Sequence, residues 1–187
     1  ITTTLNTPSG QKMSSTIRAK KVVTAAGALH TPVLLLKSGL SHPQIGRNLY
    51  LHPVAPVGAF HRREMLPWYG PMMSVIVQTF AQLDGNWGFR IECPPIHPGL
   101  AAFALGWEGG EAFQHDMARA RNLAVHVCLV RDRFGGQVTV GKQSGQPVIH
   151  YHLHAYDRRH LVRAMQESAR LHVASDAEEV LLIHNQP

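Results

Sequence analysis

The first strongly apolar segment of the chain lies at residues 22–25, Val-Val-Thr-Ala, and its β-branched side chains predict a short buried strand. Further along, Thr31 and Pro32 supply a hydroxyl group and a proline in the order in which helices commonly begin. The leucines at 34–36 would form the buried side of this helix, and Gly39 is placed to end it in a left-handed conformation.

The turn between the predicted strand and helix consists of Ala26, Gly27 and Ala28, whose small side chains allow a ligand to approach the backbone closely. A strand, a small-residue turn and a helix in this order present backbone N–H groups to a nucleotide in many α/β proteins. The preceding residues 1–19 form two polar, β-prone runs around Pro8-Ser9-Gly10 and predict a hairpin.

Beyond residue 53 the pattern changes from α/β signals to runs of strands. The predicted strands are 54–60, 72–83, 88–96, 123–131, 137–140 and 148–153, and the predicted helices are 111–120 and 157–173. In the second helix Leu161, Met165 and Ala169 share one face at helical spacing. We therefore predict an α/β part over residues 1–53 and an α+β part over residues 54–187.

Composition narrows the class of protein. With 187 residues, 44% of them hydrophobic and 16% charged, the chain is typical of a globular protein. Its net charge of +6 comes from scattered basic residues without interleaved aromatic ones, so we expect no nucleic-acid partner. No apolar run approaches the length of about 18 residues that predicts a membrane span. Two cysteines, Cys93 and Cys128, cannot form a disulfide framework, which favours an intracellular, reducing compartment.

Two motifs resemble those of a known family. Residues 27–40, Gly-Ala-Leu-His-Thr-Pro-Val-Leu-Leu-Leu-Lys-Ser-Gly-Leu, are similar to the second signature of the glucose–methanol–choline (GMC) flavoprotein oxidoreductases. That signature normally closes with a glycine, where this chain has Ser41. Residues 45–53, Ile-Gly-Arg-Asn-Leu-Tyr-Leu-His-Pro, resemble the family's Val-Gly-x-Asn-Leu-x-x-His-Pro loop. Both motifs in the expected order make a more specific match than either one alone.

Later landmarks resemble the long-chain fatty alcohol oxidase branch of the GMC proteins. They are His97-Pro98, residues 107–110, residues 131–133, residues 136–138, residues 145–148 and residues 155–160. The resemblance extends from about residue 18 to residue 180.

The resemblance implies part of an FAD-binding domain over residues 1–53, followed by a substrate domain over residues 54–187 with an antiparallel sheet backed by helices. The residues that it places beside the nucleotide part of FAD are Ala26, Gly27, Ala28, Thr31 and Pro32. It places Asn48, His52 and Pro53 in a loop that closes over the cofactor. A plain strand–helix turn is the alternative for the first group, and a structural role is the alternative for Asn48 and His52.

By the same resemblance, the complete enzyme would oxidise a primary fatty alcohol to an aldehyde, with hydride transfer to FAD and reduction of O2 to hydrogen peroxide. It would be associated with membranes. The family's Gly-x-Gly-x-x-Gly phosphate loop would lie upstream of Ile1, and its catalytic histidine downstream of Pro187. We therefore interpret the chain as a central fragment, assign no catalytic residue, and expect it to be inactive without the rest of the enzyme chain. The alternative is an inert fragment, or a body that binds an apolar ligand or a partner.

Several histidines and one aspartate suggest other chemistry. His150, His152 and His154 alternate, so on one strand they would share a face, in a spacing that metal sites use. A solvent-facing row without metal is the prediction that we favour, because no cysteine and only one carboxylate lies near them in the sequence. His30 and His97 are interpreted as helix-start or loop residues, and Asp132, between two arginines, as an ion-pairing strand end.

The apolar residues between Met72 and Trp107 have two interpretations. They could line a channel for a long alkyl chain, since such a ligand gains about 25 cal/mol per Å² of apolar contact. They could equally form the core side of the sheet.

Overall fold

The computed structural model describes residues 2–182, and the chain divides into two units. One unit comprises Ile1–Gly46 with Val138–Ile149, and the other comprises Arg47–Gln137 with His150–Pro187. The described helices are α1 (Gly27–Lys37), α2 (Pro98–Ala104), α3 (Gly110–Ala118) and α4 (Ala155–Ala174), with a 3₁₀ turn at Ala120–Asn122. The described strands are β1 (Thr2–Asn6), β2 (Lys12–Thr16), β3 (Arg47–Leu49), β4 (Val54–His61), β5 (Ile76–Val77), β6 (Phe89–Glu92), β7 (Leu123–Val130), β8 (Gly136–Val140), β9 (Pro147–His150) and β10 (Ala177–Leu182).

In the first unit, β1 and β2 form the predicted hairpin. The strands pair antiparallel from Thr2↔Thr16 to Asn6↔Lys12. The turn is closed by the Thr7 N–H, which donates to the Gln11 carbonyl at 2.8 Å. The hairpin prediction is therefore confirmed.

The predicted strand at residues 22–25 is not formed. These residues have no regular secondary structure, and Val22 and Val23 are 55% and 89% exposed. A strand depends on hydrogen bonds to a neighbouring strand, and no strand within residues 2–182 pairs with this segment. The strand prediction is wrong for this structure because local sequence preference cannot replace a missing neighbour.

Helix α1 starts earlier than predicted. It begins at Gly27, so Pro32 lies inside the helix instead of at its first position. Thr31 does not cap the helix in the predicted way, because its Oγ accepts a hydrogen bond from the N–H of Ala26 at 3.1 Å. The buried side chain is Val33, whereas Leu34 is 44% exposed, so the predicted buried face is shifted by one residue.

The end of α1 matches the prediction. Gly39 has φ of 83°, which a residue with a Cβ adopts only at a cost. The Gly39 N–H donates to the Leu36 carbonyl at 3.1 Å, and the Leu40 N–H donates to the Leu35 carbonyl at 3.2 Å. These two bonds form a Schellman motif, which satisfies carbonyl groups that the helix end leaves open.

The second unit is built on an antiparallel five-stranded sheet in the order β10-β4-β7-β6-β5. Strands β4 and β7 confirm the predictions at 54–60 and 123–131 within one residue at each end. The fold is thus mixed α/β with antiparallel sheets. The assignment of residues 1–53 and 54–187 to cofactor and substrate domains stays a prediction.

Both faces of this sheet are covered by helices. On one face, Val57 and Cys128 belong to a cluster that Leu161, Ala164 and Met165 of α4 join. This confirms the predicted core-facing side of α4, except that Ala164 and not Ala169 is its most buried apolar residue.

On the opposite face, Phe60, Leu123 and Val125 pack with Ala101 and Leu105 at α2. Successive side chains of a strand point to opposite faces, so β7 contributes to both clusters.

Several elements differ from the predicted ones. The apolar segments 72–83 and 88–96 contain only the short strands β5 and β6, and the rest of each forms turns and loops. The turn predicted at 84–86 is present, closed by an antiparallel bridge between Asp84 and Trp87. Helix α2 and strand β10 were not predicted, because α2 is brief and the first residue of β10, Ala177, is followed by two glutamates that interrupt an apolar pattern.

A substitution pair tests the packing of the first unit. Gly46 and Gly10 have similar φ values of 78° and 79°, but only at Gly46 would a Cβ meet another group, the Val138 carbonyl oxygen at 2.1 Å. We expect Gly10→Ala to lower the free energy of unfolding by about 1–2 kcal/mol through backbone strain. Gly46→Ala should lower it by roughly a further 1–3 kcal/mol, because the backbone must move apart. Urea unfolding followed by circular dichroism measures both, and equal losses would contradict this account.

Candidate functional site

The segment at residues 48–53, which begins within β3 and continues into the loop after it, has unusual backbone geometry in the second unit. Asn48 and His52 both adopt positive φ, 63° and 36°, although neither is glycine. Such conformations persist where the surrounding structure holds them, and they concentrate at functional sites. The loop also contains Pro53, whose carbonyl accepts a hydrogen bond from the N–H of Val130 at 3.0 Å. The three predicted cofactor residues of this loop thus lie on one short segment fastened to β7.

Asp132 holds this loop. Its carboxylate is 4% exposed and accepts hydrogen bonds from the N–H groups of Leu51 at 2.9 Å and His52 at 3.3 Å. The Tyr151 hydroxyl donates to the same carboxylate at 3.0 Å. The prediction of an ion-pairing strand end at Asp132 is wrong, because the partners found for it within residues 2–182 are N–H and O–H donors.

Tyr151 is a permanent donor in this network. Burial raises the pKa of its hydroxyl to about 12, and the hydrogen bond to Asp132 and the negative charges of Asp132 and Asp157 act in the same direction. The hydroxyl therefore keeps its proton at any ordinary pH.

A second buried carboxylate lies beside the first. Asp157, 1% exposed, is in the first turn of α4 and accepts a hydrogen bond from the N–H of Arg133 at 2.9 Å through Oδ1. Its Oδ2 is buried without a partner among the described residues. A negative charge at a helix N-terminus is favourable, which offsets part of the cost of burying this group.

A cavity of about 490 Å³ in the second unit lies against the loop. Its lining residues are Tyr50, His52, Ala81, Gln82, Asn86, Gly88, Phe89, Arg90, Glu92, Leu129, Val130, Arg131 and Asp132. The walls combine apolar side chains with charged ones, so the cavity suits a ligand that has both an apolar part and a polar group.

The other predicted cofactor residues lie in the first unit, at the start of α1. Ala26 is the N-cap, and no side chain caps the helix there. Gly27 has φ of 75°, and a Cβ at this position would meet nothing within 4 Å. The structure thus brings Ala26, Gly27, Ala28, Thr31 and Pro32 together at an exposed helix start.

The histidine predictions have mixed outcomes. Strand β9 ends at His150, so His150, His152 and His154 do not share one strand, although all three are exposed as predicted. His154 caps α4 by accepting the Tyr156 N–H at 3.1 Å.

Two further histidines lie at or in helices. His97 caps α2 by accepting the Gly99 N–H at 3.1 Å, which confirms a helix-start role, whereas His30 lies inside α1. Within residues 2–182, no group of three or more His, Cys, Asp or Glu side chains is arranged to hold a metal ion.

In the structure, the apolar residues between Met72 and Trp107, predicted either to line an alkyl channel or to form the core, include both buried and exposed side chains. Phe89 and Ile91 are buried in the sheet core, in agreement with the core interpretation. Met72, Phe103 and Trp107 are 68%, 90% and 73% exposed.

Sequence reasoning missed the Asp132 network and a group of three histidines, two of them buried and one half-buried. Those histidines, His61, His126 and His172, lie between the sheet and α4 of the second unit. The sequence signal that could have located this group is the position of His61 and His126 in two otherwise apolar strand segments.

Comparison of the sequence with known families and proteins gives the relatives of this chain. The sequence profile of the family described as GMC oxidoreductase matches residues 3–54. The long-chain-alcohol oxidase FAO3 of Arabidopsis thaliana is 34% identical over 172 residues, 88% of this chain and 22% of that protein. An uncharacterized GMC-type oxidoreductase of Mycobacterium tuberculosis is 34% identical over 166 residues, 88% of this chain and 25% of that protein. The chain is related to the GMC oxidoreductases. The resemblance identified from the motifs is therefore confirmed.

A second Arabidopsis relative, the long-chain-alcohol oxidase FAO4A, is 28% identical over 181 residues, 91% of this chain and 24% of that protein. The chain thus spans about a quarter of the length of the curated relatives it matches. In the described part of this GMC-related chain, no helix combines the length and apolar character needed to cross a membrane.

The Asp132 network makes a direct prediction. In Asp132→Asn, an amide NH2 replaces one acceptor oxygen, so at least one donor loses its partner: His52 if Oδ1 is replaced, or Leu51 and Tyr151 if Oδ2 is replaced. We expect the free energy of unfolding to fall by about 1–3 kcal/mol, because an unpaired buried donor is costly. Hydrogen exchange at the amides of Leu51 and His52 should accelerate roughly 10-fold or more.

Asp176→Asn is the matched control. Asp176 is exposed and has φ of 63°, a conformation that asparagine tolerates. Its exchange rates at residues 51 and 52 should equal those of the parent chain. Unchanged exchange in Asp132→Asn would show that the carboxylate does not hold the loop.

Proposed function

We propose that this chain is a segment of an FAD-dependent long-chain-alcohol oxidase and contributes to both its cofactor site and its substrate site. The observation that carries the proposal is the strained loop at residues 48–53, which Asp132 holds against a cavity. This loop lies at the end of the region that matches the GMC oxidoreductase family. Relatives named long-chain-alcohol oxidase support the substrate class.

The residues at the start of α1 fit the phosphate-bearing part of FAD. The backbone at Gly27 and Ala28 is exposed and carries small side chains, and the helix has no side-chain cap. A helix N-terminus of this kind favours an anion through its N–H groups and its dipole. Gly27 and Ala28 would hold the anion through their backbone, and the hydrogen bond from Ala26 to Thr31 fixes the turn.

In the second unit, Asn48, His52 and Pro53 would contact the cofactor from the covering loop, and the cavity beside them would receive the alcohol. The chemistry that FAD supplies when bound is acceptance of a hydride from the carbinol carbon. The net reaction converts a primary fatty alcohol and O2 into an aldehyde and hydrogen peroxide. The apolar lining residues Phe89 and Leu129 suit the alkyl part of such a substrate.

FAD titration of the purified chain, followed by flavin fluorescence, tests the cofactor assignment. Gly27→Asp places a carboxylate at the start of α1, where it would repel a phosphate group. We expect it to weaken FAD binding roughly 10-fold or more, the range expected when like charges are brought close together.

Gly10→Asp is the control, because Gly10 has nearly the same φ, 79°, and the same open surroundings as Gly27. It should bind FAD as the parent chain does. Equal weakening by both substitutions would exclude the α1 N-terminus as the phosphate site. An absence of saturable binding to the parent chain would contradict the proposal that this segment carries enough of the site to hold FAD.

A further inference from the structure

Three imidazole rings lie where α4 packs on the sheet of the second unit, those of His61 and His172 buried and that of His126 half-buried. His126 of β7 stacks on His172 of α4, with ring centroids 3.9 Å apart and an interplanar angle of 15°. His61 of β4 lies 5.9 Å from His172. His61 and His172 are 3% and 1% exposed. We refer to these three residues as the histidine cluster.

The hydrogen bonds of the cluster favour uncharged rings. His172 donates from Nε2 to the Val57 carbonyl at 3.3 Å, since a carbonyl can only accept. His126 Nδ1 lies 3.0 Å from the Ser168 hydroxyl. Neither ring nitrogen of His61 has a partner among the described residues. A proton added to the stack would place a cation against a second imidazole in a buried setting.

The surroundings offer no compensating negative charge among the described contacts of the three rings. From β7 the cluster meets Cys128, whose thiol stays protonated because burial raises its pKa to about 11. On this face β6 contributes the apolar side chains of Phe89 and Ile91, and from β10 Ala177 lies opposite His61.

Four charged side chains lie beside the cluster, in a depression that His61 shares. They are Arg62, Arg63, Asp176 and Glu178. Of these, Arg62 and Glu178 pair with one another at 2.7 Å.

We propose that the histidine cluster is an acid-sensitive latch: with neutral rings it fastens the C-terminal half of α4 to the sheet, and protonation releases it. The latch depends on packing within the second unit and is independent of flavin binding. Its release would expose Ser168 of α4 and Cys128 of β7, which are both fully buried where the helix packs on the sheet.

The direction of the pH effect follows from the difference in histidine pKa between the closed latch and the open latch. Burial first, and then the neighbouring His126, lower the pKa of His172 to about 4 against a smaller opposing effect of the Val57 carbonyl, and His61 makes a still smaller lowering contribution. Burial, and then His61, also lower the pKa of His126. Once released, His126 and His172 regain a pKa of about 6.5, so the open state binds more protons. The latch is therefore fully closed above about pH 6.5 and weakens as the pH falls toward 4. At pH 5, His172 alone shifts the equilibrium toward the open state roughly 30-fold.

Labelling of Cys128 measures the opening. Because Cys93 is exposed, the experiment uses the Cys93→Ser chain, in which Cys128 is the remaining thiol. The reagent is a dipyridyl disulfide, whose exchange with thiols continues in mild acid, and free cysteine corrects for its intrinsic pH dependence. From pH 7 to pH 5 we expect the corrected rate to rise roughly 20-fold, because a small part of the shift is already present at pH 7.

His172→Phe in the same background keeps an aromatic ring in the stack but removes the titrating group. Its corrected rate should change several-fold less over this range. His152→Phe, which alters an exposed histidine outside the cluster, should behave as the parent does. A pH-independent rate in the parent, or the same pH dependence in His172→Phe, would overturn the proposal.

A second measurement covers the case in which His172→Phe does not fold. Proton NMR of the parent chain, which has 13 histidines, follows the titration of each ring. At least one ring should titrate far below the usual range, and His172→Gln or His126→Gln spectra assign it. Titration of all rings near pH 6.5 in the folded chain would refute the latch.

Discussion

The geometry of the candidate site depends on one buried carboxylate. An ionised aspartate out of contact with water is strongly unfavourable unless donors surround it. Asp132 meets this requirement with the N–H groups of Leu51 and His52 and the hydroxyl of Tyr151. Since the carboxylate needs these donors, the loop is held with His52 in a left-handed conformation that its own backbone preference disfavours. The hydrogen bonds to Asp132 therefore hold the loop in place and also keep His52 in its strained conformation.

Helix α4 shows how burial competes with helix electrostatics. Its first turn contains Asp157 and its last turn contains His172, which is the arrangement that the helix dipole favours if the histidine is charged. That dipole effect is worth at most about 2 kcal/mol in partly buried sites. For His172 burial prevails, since its pKa falls to about 4. The helix therefore has a favourable charge at its start and a neutral ring at its end, where a charge would be favourable only in water.

The sequence correctly predicted those elements in which a long run of residues carries a regular apolar repeat. Strands β4 and β7 and helix α4 each carry an apolar repeat over at least 8 residues, and each was located within about two residues. The segment at residues 22–25 was misjudged because a buried strand exists only through its neighbours. The start of α1 was misplaced because Thr31 and Pro32 satisfy a local rule for helix starts that the folded turn at Ala26 does not follow.

The site was less predictable than the fold, because its contacts join distant parts of the chain. The motif resemblance located the loop at Asn48, His52 and Pro53, but it carried no information about what holds the loop. The backbone donors to Asp132 lie 80 and 81 residues away in the sequence, and the Tyr151 hydroxyl lies 19 away, so the aspartate could be judged only by its adjacent arginines. The same reason hides the pairing of His126 with Ser168, which are 42 residues apart.

The buried polar groups of α4, with Asp157 at its start and Ser168 and His172 toward its end, divide its attachment to the sheet into separate parts. Asp157 and His172 are separated by roughly 22 Å along the axis, at 1.5 Å per residue. The N-terminal part is tied to Arg133, the residue after Asp132, and the apolar contacts of Leu161, Ala164 and Met165 lie between the two ends. Protonation at His172 therefore acts on the last turns of the helix, while the turns beside the Asp132 network keep their own contacts. A local opening at one end of α4 is consequently compatible with an intact loop and cavity at the other.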